Sequence, residues 1–77
     1  MNRAMLLDHL EKARSHVAEG DSHIAKQKII LAEFQRDGHD MADARRLLDN
    51  FEDSQKLHVA DLERILDELD KLGSRVV

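Results

Sequence analysis

The sequence predicts an all-α fold in which two long helices pair as an antiparallel coiled-coil hairpin. Composition carries part of that reading: the 77 residues hold no proline and three glycines, while Ala, Leu, Asp, Glu, Lys and Arg dominate, as in long helices. Two phenylalanines without Tyr or Trp leave little to build a sheet core. Period carries the rest. From Met41 onward, positions 41, 44, 48, 51, 55, 58, 62, 65, 69, 72 and 76 alternate steps of three and four, and nine of these eleven residues are apolar, Gln55 and His58 being the exceptions. That is a sustained a/d heptad seam.

The first helix is expected over about residues 3–36, with Asn2 as its N-cap. Its seam is Leu6, Leu10, Ala13, Val17, Gly20, Ile24, Gln27, Leu31 and Phe34, flawed at Gly20 and Gln27. A helix ending at Gly20 and restarting with Asp21 or Ser22 as N-cap would make a three-helix bundle instead. The continuous helix is preferred, because the heptad phase passes through Gly20 unchanged and the second helix needs a partner of its own length.

The turn lies in Arg36-Asp37-Gly38-His39-Asp40. Gly38 suits the left-handed residue just past a helix, Asp40 suits the N-cap of the next, and Asp43 favours that helix's positive end. The second helix then covers about 41–72, roughly 48 Å at 1.5 Å per residue. Gly73 is a second stop, after which Ser74 to Val77 are expected to fray. The whole chain, 1–77, reads as a single hairpin domain, small enough that burial supplied by another chain is a live expectation.

A short turn fixes the pairing. Residues whose numbers sum to 75 face each other, giving layers Phe34/Met41, Leu31/Ala44, Gln27/Leu48, Ile24/Phe51, Gly20/Gln55, Val17/His58, Ala13/Leu62, Leu10/Ile65 and Leu6/Leu69. Large meets small at Leu31/Ala44, Gly20/Gln55 and Ala13/Leu62, as a filled core requires. On the flanks, Ile30 meets Leu47 and Leu7 meets Leu66, whereas Asp21 would face Glu52 and Lys28 would face Arg45, like-charge pairings of small cost when exposed.

Three histidines recur every seven residues, at His9, His16 and His23. Successive members are ~10 Å apart along a helix, too far to share one ion. In the paired register they face Glu68, Asp61 and Ser54. His9 with Glu68 and His16 with Asp61 are candidate pH-sensitive pairs that would favour the charged imidazole. Their stabilisation would be present below about pH 6.5 and fade above it. Gly20, Gln55 and His58 form a polar layer inside the seam, read as a device fixing register or oligomer state rather than a ligand site. His39, in the turn, is expected to be exposed.

The chain carries no catalytic signature. It lacks a Gly-rich phosphate loop and any cysteine, so a thiol nucleophile, a thiolate zinc site and a disulfide framework are excluded. Ser15/His16 and Ser22/His23 are neighbours that point to different helix faces. No enzyme activity, cofactor or metal is expected. A net charge of −4 with both signs interspersed offers no basic stripe to nucleic acid. No apolar run approaches the ~18 residues of a membrane span, and a cytoplasmic protein is expected.

The surplus of apolar surface points to self-association. Ala4, Ala18, Ala25 and Ala32 occupy heptad position b beside Leu7 at e, and the second helix adds Val59 and Leu66 at e. That face is wider than a two-helix seam covers. The expected function is therefore a non-enzymatic protein interaction or adaptor module, homodimerising into a four-helix bundle. The alternative is a hairpin that responds to pH or to metal through His9, His16 and His23.

The stretches HVAEGDSHIA (16–25), RDGHD (36–40), ARRLL (44–48) and FEDSQKLH (51–58) resemble a group of short alpha-proteobacterial helical-hairpin proteins without an assigned function. The resemblance covers residues 3 to about 70. It implies a small bacterial helical protein and carries over no functional residue.

Overall fold

The computed structural model describes residues 2–74. It is all-helical, with α1 over Arg3–Asp37 and α2 over Ala42–Ser74, and no strand occurs among the described residues. α1 runs unbroken through Gly20 for 35 residues, so the three-helix alternative falls away. α2 passes the expected stop at Gly73 by one residue. Val76, the last seam position, and the fraying expected over 75–77 lie outside the described residues.

Three helix ends have a partner among the described residues. Asn2 Oδ1 accepts from the Met5 N–H at 2.8 Å, capping α1. At the other end Gly38 adopts φ 76°, its N–H donates to Gln35 O at 3.4 Å and the His39 N–H to Phe34 O at 2.9 Å. This is the Schellman pattern, which needs a left-handed residue and so favours glycine. The His39 ring sits edge-on to Phe34 at 5.4 Å between centroids, so this exposed histidine also covers the helix end. Asp40 Oδ1 accepts from the Ala42 N–H at 2.9 Å, and Asp43 occupies the first turn of α2, where a negative charge suits the helix dipole.

The seam read from the sequence is the buried face. At the turn end Leu31, Ala44 and Leu48 are buried with Ile24, Phe34 and Met41 packed on them. At the open end Leu6, Ala13 and Ile65 are buried beneath Leu10, Leu62, Leu69 and Leu72. The first group joins the last turns of α1 to the first of α2, and the second does the reverse, so the helices run antiparallel. Val17, Phe51 and His58 are half-buried along the same line. The molecule measures 62 × 15 × 14 Å, a rod two helices wide. Such a rod has no interior beyond its seam, so any site must lie in the seam or on a flank.

Candidate functional site

Two glutamines interrupt the apolar seam, and both are buried: Gln27 is 5% and Gln55 9% exposed. A buried amide costs stability unless its hydrogen-bonding groups are met. Gln27 Nε2 donates to the Ala44 carbonyl at 2.8 Å, tying α1 to the first turn of α2. The sequence marked Gln27 only as a flaw; here it is a cross-link between helices.

Gln55 spans the seam from one flank to the other. Its amide nitrogen donates to the Val17 carbonyl and to Asp21 Oδ1, each at 2.9 Å. Its amide oxygen lies 3.3 Å from His58 Nδ1. The side chain can occupy that path because Gly20 has no Cβ: one built there would stand 2.6 Å from Gln55 Cδ. The polar layer of Gly20, Gln55 and His58 is thus a connected unit. It also recruits Asp21, which was expected to face Glu52. Asp21 sits beside the seam at position e, close enough for its carboxylate to turn inward to an amide donor.

This network assigns the proton on His58. Val17 O and Asp21 Oδ1 can only accept, so the NH2 of Gln55 must face them and its oxygen must face His58. Oxygen accepts, so a hydrogen bond here requires the hydrogen on His58 Nδ1. In the neutral ring that tautomer keeps its lone pair on Nε2.

The histidine row departs from expectation. Asp61 and Glu68 are both engaged by Arg64, at 2.6 and 3.2 Å, and no ion pair joins them to His16 or His9 among the described residues. The reason is spacing: Arg64 lies three residues after Asp61 and four before Glu68, the separations at which side chains meet on one helix. The hydrogen bond and charge of Asp61, with a smaller contribution from Glu68, raise the Arg64 pKa. The signal was present in the sequence as Asp61, Arg64 and Glu68, and a same-helix partner needs no tertiary arrangement to form.

His16 instead meets His58, ring centroids 5.6 Å apart and planes at 39°. His23 packs edge-on to Phe51 at 5.4 Å, and His9 is half-buried at the open end. A recess of about 170 Å³ opens between the helices here, walled by His16, Glu19, His23, Phe51, Ser54 and His58. The sequence reading placed Asp61 opposite His16; the contact with His58 arises because His16 neighbours Val17 on the flank to which His58 leans.

Comparison with known proteins assigns nothing further. No family model, curated protein or solved structure matches the chain. Functional reading therefore rests on the hairpin's own surface. No helix among the described residues is long and apolar enough to cross a membrane.

Proposed function

We propose that the hairpin is a non-enzymatic, self-associating interaction module, two copies packing through one flank into a four-helix bundle. The observation that carries this reading is the exposure of Leu7 (45%), Val59 (36%) and Leu66 (42%), which share one flank of the seam. The exposed Ala4, Ala18, Ala25 and Ala32 adjoin them, small enough to let another helix approach closely. Beside Val59 a shallow depression of about 400 Å³, reaching down to Ile24, offers room for a partner's side chain.

Area supports the same reading. The chain exposes 5893 Å², against about 4800 Å² for a compact monomer of 8.8 kDa. The excess of about 1100 Å² exceeds the ~800 Å² each partner contributes to a standard interface. Sedimentation equilibrium from 1 to 100 µM tests the proposal. A mass twice that of the chain is expected, and a monomer throughout that range overturns it.

A further inference from the structure

His16 and His58 come from facing helices, and their ring centroids are 5.6 Å apart. Two imidazoles bound to one tetrahedral ion at ~2 Å from each ligating nitrogen hold their centroids ~5 Å apart. The spacing therefore lies close to the one a shared ion would require. Distance alone would also describe an ordinary ring contact, so the state of the ligating nitrogen matters more.

That state is set by Gln55. Metal-binding histidines commonly donate their other ring N–H to a carbonyl or carboxylate, which fixes the tautomer and holds the ring. Gln55 Oε1 is such a carbonyl for His58 Nδ1 at 3.3 Å. The glutamine is itself held by Val17 O and Asp21 Oδ1, so the neutral His58 ring is held in the tautomer whose lone pair is on Nε2. Both histidines border the recess of about 170 Å³, and so does Glu19, one helical turn from His16. At ~30 Å³ for each water, that space holds an ion with the waters that complete its shell.

The geometry points to a two-imidazole site, His16 with His58, for a divalent transition-metal ion of the zinc, nickel or copper class, with Gln55 as positioning residue. It is not a closed cage: among the described residues no group of three or more His, Asp or Glu side chains is assembled to hold a metal. Water fills the remaining positions. The ion clamps α1 to α2 at mid-length, and because the unfolded chain has no such site, binding adds to the stability of the hairpin. His9 and His23 take no part. The site lies on the flank opposite Leu7, Val59 and Leu66, so it is independent of self-association.

Titration of the full chain with zinc chloride, read by calorimetry and thermal melting, tests the site. Saturable binding at one ion per chain is expected, with a midpoint rise of ~10–20 °C at a hundredfold excess over Kd. His16→Gln and His58→Gln each abolish binding while circular dichroism of the metal-free variants stays helical; His9→Gln and His23→Gln retain it. Gln55→Leu keeps the helical spectrum and weakens binding by ~10-fold. The proposal is overturned by the absence of saturable binding, by binding that survives His16→Gln or His58→Gln, or by one ion per two chains.

Discussion

Gln55 lies across the bare backbone of Gly20. The two are opposite one another in the middle of the hairpin, and a Cβ on Gly20 would stand 2.6 Å from Gln55 Cδ. Gly20→Ala thus sets two effects against each other. Alanine gains up to ~1 kcal/mol of helix propensity, but displacing Gln55 breaks buried hydrogen bonds that cost ~1–3 kcal/mol when left unmet. The expected net loss is ~1–2 kcal/mol by urea denaturation. In a Gln55→Ala background nothing remains to displace, and the same substitution should become stabilising. A Gly20→Ala effect of the same sign in both backgrounds would refute the close-packing account.

At the turn, Gly38→Ala should destabilise by ~1 kcal/mol. No atom lies within 4 Å of an added Cβ, so the cost comes from holding alanine at φ 76°. A fall in melting midpoint of ~4–8 °C is expected for a domain of this size, and a smaller one for Gly38→Asn, which tolerates the left-handed region.

The core should respond according to burial. Ile65, 2% exposed, is expected to lose ~1 kcal/mol as Ile65→Val, one methyl group in a packed layer. Leu57 faces water at 73% exposure, and Leu57→Ala should stay within ~0.5 kcal/mol of the parent. Equal effects at the two positions, compared in urea, would mean that Leu57 is covered by another chain.

Leu66→Glu should separate association from folding. A carboxylate within the proposed interface opposes dimerisation. The variant is therefore expected to sediment as a monomer and keep a helical spectrum. A dimer that survives this change would move the interface to another face.

Arg64→Gln should leave the melting midpoint unchanged, because its pairs with Asp61 and Glu68 are exposed and such pairs contribute little. The raised Arg64 pKa also settles the sign of its own contribution to pH dependence. A raised folded value gives stabilisation fully present below the unfolded value and lost only as pH rises through the folded one, far above neutrality. Between pH 5 and 9 the positive charge of Arg64 thus adds no slope to the melting midpoint.

The seam was legible because a period of three and four needs only the identity of each residue as apolar or not. Every position assigned to it from Leu6 to Leu72 is buried or half-buried. The caps at Asn2 and Gly38, and the Asp40 side chain that accepts from Ala42 N–H just before α2, were legible for a similar reason, each resting on one residue and nearby backbone. What was not legible depended on competition between partners. Asp21 had Glu52 opposite it and Gln55 diagonally across, and only the side-chain geometry selects the amide. Asp61 and Glu68 had histidines across the seam but an arginine on their own helix, and the local partner prevails. Gln27 looked like a defect because periodicity cannot tell an unpaired amide from one aimed at a carbonyl.

The two buried glutamines have a consequence for how the helices find their alignment. Apolar rungs that repeat every seven residues fit again after a slide of one repeat, whereas Gln27 bonds Ala44 and Gln55 bonds Val17 and Asp21 only where the helices now lie. A slide by one repeat would part both amides from these acceptors. The instruction for where the two strands of the rod must meet is therefore written into their middles as well as into the link between them. Peptides severed between Gly38 and Asp40 would still carry it.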